Sequence, residues 1–260
     1  MCSSDLLTFY LLPDFSKITG STVVAAMNQA FFTLSLGIGS MAIFGSYLDK
    51  ERSLLGESVN IICLDTFVAI TAGLIIFPAC FTYDMEVGAG PGLLFDTMAT
   101  VFINMEGGRF WGALFFLFMI FAAMSTVIAV FENIVCCGMD AWNWSRKKSS
   151  FITFASLVVL SLPCILGFNV LSGIMPLGAG SNLMDLEDFL ISNNIQPLGA
   201  LVYVLFCTTR MGWGWEGFLE EANAGIGIKF PRALYVYVRY IMPVILLVLW
   251  GQGYIAKFFS

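Results

Sequence analysis

The chain has 260 residues, of which 58% are hydrophobic and 12% charged, and its net charge is −6. Soluble globular chains are about 45–50% apolar and about 25% charged, so this composition excludes a soluble domain and indicates an integral membrane protein. The absence of histidine excludes His-dependent catalytic triads and the HExxH zinc motif, and we expect no nucleic-acid partner.

Apolar stretches long enough to cross a bilayer, which takes about 20 helical residues, recur along the chain. They lie at residues 22–48, 57–83, 110–137, 151–170, 187–208 and 233–256. The sequence therefore predicts an all-α integral membrane protein with about six transmembrane helices.

The first predicted span is interrupted. Residues 28–39 read NQAFFTLSLGIG, and their hydroxyl groups and two glycines predict a helix break at 34–39, at mid-membrane depth. Because an unpaired backbone amide or carbonyl costs several kcal/mol in hydrocarbon, such a break persists where it lines a cavity or binds a ligand. The two half-helix ends suit a carboxylate and a small cation. The alternative is a glycine notch that serves helix packing.

Polar groups inside the second and third spans are further candidates for an ion site. Asp65 lies in the second span, where an ionisable residue indicates function unless it is solvated at the inner interface. In the third span, helical spacing places the Ala122 carbonyl and the hydroxyls of Ser125 and Thr126 on one face, a set of oxygens suited to sodium. The alternative is that these hydroxyls bond to their own helix. Glu132 is a second intramembrane acid.

The distribution of lysine and arginine predicts the orientation of the chain. Residues 85–108 are too polar to span and are predicted to form an extracellular cap, with a short helix at Leu93–Asn104. Nine of the 12 basic residues lie in or close to the loops after the first, third and fifth spans, and basic loops stay in the cytoplasm. This assigns residues 1–20 to the outside, as the remnant of an extracellular loop, and the loop 211–232 to the cytoplasm. A start outside the membrane favours the interpretation that the chain is the C-terminal half of a longer protein.

Three parts of the chain resemble one family of membrane transporters. Residues 28–37 (NQAFFTLSLG) are similar to its broken sixth helix, and residues 90–95 (GPGLLF) to its fourth extracellular loop. Residues 228–232 (IKFPR) and 239–243 (RYIMP) are similar to the entry of its eleventh helix. On these motifs, residues 21–260 resemble the second half of a bacterial neurotransmitter:sodium symporter of the leucine-transporter type. The resemblance implies an inverted repeat of two five-helix bundles, in which the six spans are helices six to eleven and helices one to five are a missing partner.

The resemblance also implies a set of site residues. Those that would contact an amino-acid substrate are Phe32, Thr33, Ser35, Ile38, Thr126 and Val130. Those that would bind sodium ions, in two sites, are Thr33, Asp65, Ala122, Ser125 and Thr126. Those that would form gates are Asp188 on the outside and Tyr47 and Asp140 on the inside, with the arginine partners of both gates in the missing helices.

Two positions depart from the family pattern. Ile38 replaces an aromatic residue of the leucine transporter, and Asp65 replaces the asparagine of many relatives, where a carboxylate can supply the negative charge that chloride supplies in animal relatives. We expect sodium-coupled amino-acid symport by the intact protein, as a multi-pass protein of a bacterial inner membrane and not as an enzyme. The alternative is a non-transporting fragment or an interaction subunit of a membrane complex. An intramembrane enzyme is disfavoured because the sequence has no histidine, no HExxH motif and no paired catalytic aspartate motif.

Overall fold

A computed structural model describes residues 10–12, 14–82 and 92–258 of the chain. The predicted loop remnant 1–20 and the predicted extracellular cap 85–108 therefore lie partly outside the described residues. Within those residues the structure is helical apart from the connecting segments, and strand-type pairing is limited to an isolated parallel bridge between Arg52 and Ile226. The predicted all-α class is confirmed.

The helices are labelled in chain order. They are α1 (Gly20–Thr33), α2 (Ser40–Ser46), α3 (Leu54–Thr82), α4 (Leu93–Asn104), α5 (Gly108–Trp142), α6 (Arg146–Gly167), α7 (Leu183–Thr208), α8 (Gly214–Ala222) and α9 (Met242–Phe258). Wider π-helical turns occur at Leu93–Thr97 in α4, at Ile191–Ile195 in α7 and at Tyr237–Ile241 before α9.

Five helical segments of the described chain are long and apolar enough to cross a membrane. They are α3, α5, α6, α7 and the segment Arg232–Ile255, and they correspond to the second to sixth predicted spans. The first predicted span, 22–48, consists instead of the two shorter helices α1 and α2. The predicted short helix of the extracellular cap is present as α4.

Several helices extend beyond the predicted spans because backbone hydrogen bonding continues past the apolar stretch. Helix α5 reaches Trp142, five residues beyond the predicted end at 137. Helix α7 begins at Leu183 rather than at 187, after a capping box in which Asn182 and Asp185 each accept a hydrogen bond from the other's backbone amide. Asp185 therefore lies in the first turn of α7 and helps to cap its N-terminus.

The chain divides into two compact units, which are described separately. One comprises Met1–Thr19 and Asn60–Thr126, and the other comprises Gly20–Val59 and Val127–Ser260. In the first unit, α4 packs through Met98 and Val101, which are 2% and 1% exposed, and the ring of Phe102 lies 5.3 Å from that of Phe115. The second unit contains α1, α2 and α6–α9, and its buried apolar residues include Leu246 and Leu249 of α9.

Most of the large apolar side chains remain exposed. In the most hydrophobic window of each of the five long helices, between 0% and 17% of the residues are buried. A membrane protein presents such faces to lipid or to further transmembrane helices, because an apolar surface has no cost in hydrocarbon. The bilayer is therefore a required partner of this fold.

Candidate functional site

The segment 34–39 separates α1 from α2 and has an unusual backbone. Ser35, Gly37 and Gly39 have φ angles of +50°, +83° and +87°, all in the left-handed region. Glycine adopts this region without a steric cost, whereas a residue with a side chain loses about 1–2 kcal/mol there. Left-handed backbone at a non-glycine residue such as Ser35 is concentrated at ligand-binding and switch sites.

Two glycines allow the segment to contact α7 directly through the backbone. A Cβ atom on Gly37 would lie 2.0 Å from the carbonyl oxygen of Gln196, and one on Gly199 would lie 2.0 Å from the carbonyl oxygen of Gly37. No side chain fits at either position. Glycines at this crossing thus serve close helix packing, which was the alternative interpretation of the segment. At the same time, Gly37 has the left-handed backbone that the interpretation as a helix break requires.

Helix α5 holds the other end of the segment. The Asn133 side-chain amide donates a hydrogen bond of 2.8 Å to the carbonyl oxygen of Ile38. A Cβ on Gly39 would lie 3.0 Å from the same amide group and 3.1 Å from the Tyr203 hydroxyl of α7. Neither Asn133 nor Tyr203 was predicted from the sequence as part of the site. For Asn133 a signal existed, since an amide inside an apolar span beside Glu132 indicates a polar partner.

Polar atoms without partners surround the segment. Among the described residues, no backbone amide donates to the carbonyl oxygens of residues 34–37. Buried side-chain oxygens that have no hydrogen-bond partner in the described part of the chain occur at Ser40, the first residue of α2, and at Gln196. A buried unsatisfied polar group costs about 1–3 kcal/mol. These atoms therefore require donors from a ligand, from water or from further protein.

The predicted substrate residues of this unit are open to their surroundings. Phe32 is 53% exposed and Thr33 is exposed, while Ser35, Ile38 and Val130 are half-buried. An apolar pocket around a substrate requires these side chains to be covered, which the second unit does not do by itself. Their assignment to the substrate stays a prediction.

The predicted sodium ligands are distributed between the two units. Asp65 is half-buried on α3, and Ala122, Ser125 and Thr126 are exposed on α5 in the same unit, whereas Thr33 belongs to the other unit. The Ser125 hydroxyl donates a 2.7 Å hydrogen bond to the Ala122 carbonyl oxygen of the same helix. The alternative interpretation of these hydroxyls predicted such a bond. A hydroxyl that donates in this way keeps its lone pairs, so the bond is compatible with an additional cation.

At the predicted inner gate, the hydrogen bonds centre on Glu132. Its carboxylate accepts a bond of 2.8 Å from the Tyr47 hydroxyl and bonds of 2.9 and 2.8 Å from Arg146 Nη2. Asp140 is exposed, and no ion pair of Asp140 occurs among the described residues. The sequence interpretation noted Glu132 as an intramembrane acid but did not pair it with Tyr47 or Arg146. The gate roles of Tyr47 and Asp140 stay predictions.

The predicted outer-gate residue lies on the first turns of α7. Asp188 is exposed, and its carboxylate accepts a hydrogen bond of 2.8 Å from the Ser192 hydroxyl, one turn further along. The carboxylate therefore retains capacity for a cationic partner such as an arginine. Its gate role also stays a prediction.

Comparison with known proteins identifies the family. The sequence profile described as "Sodium:neurotransmitter symporter family" matches residues 2–257, nearly the whole chain. The chain belongs to this symporter family. Its members are sodium-dependent membrane transporters and not enzymes, which agrees with the multi-pass bacterial membrane protein expected from the sequence.

Alignment with two relatives shows what share of their length the chain covers. It is 32% identical over 251 residues to a sodium-dependent transporter of Haemophilus influenzae, covering 94% of this chain and 52% of that protein. It is 31% identical over 241 residues to the transporter YhdH of Bacillus subtilis, covering 92% of this chain and 53% of that protein. The chain spans about half the length of the curated relatives it matches.

A solved structure has the same fold. The crystal structure of MhsT in complex with L-phenylalanine superposes with a TM-score of 0.82 at 32% identity, covering 96% of this chain and 56% of that chain. The resemblance to leucine-transporter-type symporters that the motifs indicated is confirmed.

Proposed function

We propose that this chain supplies helices six to eleven of a sodium-coupled amino-acid symporter, and that the segment 34–39 is its half of the substrate site. The single observation that carries the proposal is the backbone of this segment. Left-handed turns at Ser35 and Gly37, held between α5 and α7, leave carbonyl groups without backbone partners in the described chain. In a membrane such groups require a ligand or further protein.

The chemistry of the segment supports an amino acid as the substrate. The end of α1 presents helix carbonyls and the beginning of α2 presents helix amides, so the two ends favour a cation and a carboxylate respectively. MhsT is a symporter relative solved with L-phenylalanine, and the Xenopus laevis relative, 22% identical, is a glycine transporter. We therefore assign α-amino acids as the substrate class, contacted by Phe32, Thr33 and Ser35.

Sodium would be coupled to the substrate by electrostatics. A sodium ion near Thr33 and Asp65 and an amino-acid carboxylate have opposite charges in a site of low dielectric, so each raises the affinity of the other. This coupling is reciprocal, and it biases the equilibrium between outward-open and inward-open states. A second ion would be bound by Ala122, Ser125 and Thr126.

The proposal requires a five-helix N-terminal half. That half would supply the remaining ligands, the arginines that pair with Asp188 and Asp140, and a cover for the exposed Phe32. The span of about half the length of the relatives supports this requirement, and it equally supports the alternative that the chain is a non-transporting fragment or an interaction subunit.

Binding of L-phenylalanine, used as a probe, tests the proposal. The chain is co-expressed with helices one to five of the symporter, and scintillation-proximity binding is measured in sodium and in potassium. We expect saturable binding in sodium that is lost in potassium and in the variant Ser35→Pro, which cannot adopt a positive φ. Binding that is equal in both salts would contradict sodium coupling. Loss of binding to phenylalanine, leucine, tyrosine and glycine alike would favour the interaction subunit.

A further inference from the structure

Helix α7 changes its winding between the predicted outer gate and the contact with Gly37. It is α-helical at Leu183–Leu190, π-helical at Ile191–Ile195 and α-helical again at Gln196–Thr208. A π turn accommodates one more residue than an α turn. Since each residue of an α-helix turns by about 100°, this extra residue rotates Leu183–Leu190 by about 100° relative to an uninterrupted α-helix.

The side chain of Asn194 fixes this wide turn. Its amide nitrogen donates a hydrogen bond of 3.2 Å to the Phe189 carbonyl oxygen, five residues earlier in the same helix. Its carbonyl oxygen accepts bonds of 3.2 Å from Trp250 Nε1 and of 2.6 Å from the Tyr254 hydroxyl, both on α9. A single carboxamide thus closes the π turn and anchors it to the neighbouring helix. The adjacent Asn193 lies against Gly253 instead.

The wide turn determines which side chain near the N-terminal end of α7 is exposed and which one packs against α9. Asp188 is exposed, whereas Phe189 is 8% exposed and its ring lies 5.2 Å from that of Tyr254. If the segment were an uninterrupted α-helix, Phe189 would take the direction that Asp188 has now. Asp188 would then take the direction of Glu187.

We propose that Asn194 is a positioning residue, which holds the π turn of α7 and thereby points Asp188 outwards. The gating consequence rests on the proposed function, because it requires Asp188 to be the acidic half of an outer gate. The structural consequence, which is the direction of Asp188, does not depend on transport. The two can therefore be tested separately.

Cysteine labelling measures the direction. Single cysteines at 188 and at 189 are introduced into the co-expressed full transporter, and their rates of modification by a membrane-impermeant maleimide are compared, with the labelling of the native cysteines subtracted. In the unmodified background, 188 is expected to label faster than 189. In Asn194→Leu, which removes both the donor and the acceptor, the order is expected to invert.

Two further variants separate positioning from a general loss of packing. Asn194→Asp retains an acceptor for Trp250 and Tyr254 and is expected to preserve the original order, and so is the control Asn193→Ala. Tyr254→Phe removes one oxygen atom and is expected to reduce the difference between 188 and 189 without unfolding the helix pair. An unchanged order in Asn194→Leu together with an undiminished difference in Tyr254→Phe, or an inversion in Asn193→Ala, would overturn the proposal.

Transport kinetics then test the gate. If Asp188 gates the site, Asn194→Leu and Asp188→Asn are both expected to raise the KM for substrate and the rate of substrate release towards the outside. Inversion of the labelling order with unchanged KM and release would preserve the positioning role and reject the outer-gate role of Asp188.

Discussion

The contact between Gly37 and α7 allows a stability prediction with internal controls. Gly37→Ala introduces a Cβ at φ +83°, 2.0 Å from the Gln196 carbonyl oxygen and 2.8 Å from the Ala200 amide nitrogen. Both neighbouring atoms belong to the backbone and cannot move aside as a flexible side chain does. The left-handed φ costs about 1–2 kcal/mol and the overpacking about 1–3 kcal/mol, so we expect a loss of about 2–5 kcal/mol.

Three other glycines separate these two contributions. Gly178 has φ +105° with no atom within 4 Å of an added Cβ, so Gly178→Ala carries only the conformational cost of about 1–2 kcal/mol. Gly199→Ala in α7 carries the clash with Gly37, offset by about 0.5–1 kcal/mol of helix propensity. Gly45→Ala in α2 meets no atom within 4 Å and is expected to stabilise the helix by about 0.5–1 kcal/mol.

Equilibrium unfolding in mixed micelles of SDS and a mild detergent, followed by circular dichroism, measures these differences. From most to least stable, the expected order is Gly45→Ala, wild type, Gly178→Ala and Gly37→Ala. Gly199→Ala is expected to be more stable than Gly37→Ala. A Gly37→Ala protein as stable as Gly178→Ala would refute the close backbone contact, and with it the reason for two glycines at this crossing.

Further predictions concern ions, selectivity and topology in the co-expressed transporter. Thr126→Val and Asp65→Ala should each raise the sodium concentration for half-maximal transport, whereas the control Thr71→Val should not. If the half-saturating sodium concentration is unchanged in both variants, Thr126 and Asp65 do not bind the transported ions. Ile38→Phe should disfavour transport of the bulkiest substrates relative to small ones, because a methylene-sized change in an apolar pocket shifts discrimination by about 1–3 kcal/mol. An unchanged substrate ranking would show that Ile38 does not line the substrate pocket. A cysteine at Lys147 should react with an impermeant reagent only from the cytoplasmic side, and labelling from outside intact cells would reverse the orientation.

Local sequence patterns sufficed for the helices and for the position of the break. Long apolar runs determine α3, α5 and α6 because hydropathy is a property of the segment itself. The helix interruption after Thr33 is visible in the closely spaced glycines at 37 and 39, whose φ angles are indeed left-handed. Its depth in the membrane stays a prediction.

The polar contacts required information from distant parts of the chain. Asn194, in the π turn of α7, accepts hydrogen bonds from Trp250 and Tyr254, which lie 56 and 60 residues further along the chain. Arg146 reaches Glu132 because Asn143, with φ +51°, turns the chain between α5 and α6. No periodicity within a single helix indicates such partners, so the pairs that surround the candidate site could not be predicted.

The central claim is that these residues form one half of a sodium-coupled amino-acid transporter. Sodium-gradient-driven uptake of radiolabelled amino acids into proteoliposomes tests it most directly, with the chain reconstituted alone and together with helices one to five. The account predicts no uptake above empty vesicles for the chain alone, because Thr33, Ser35 and Asp65 supply only part of each ligand shell. It predicts sodium-dependent uptake when both halves are present. Robust uptake by the chain alone, or the absence of uptake from a folded complex of both halves, would contradict the account.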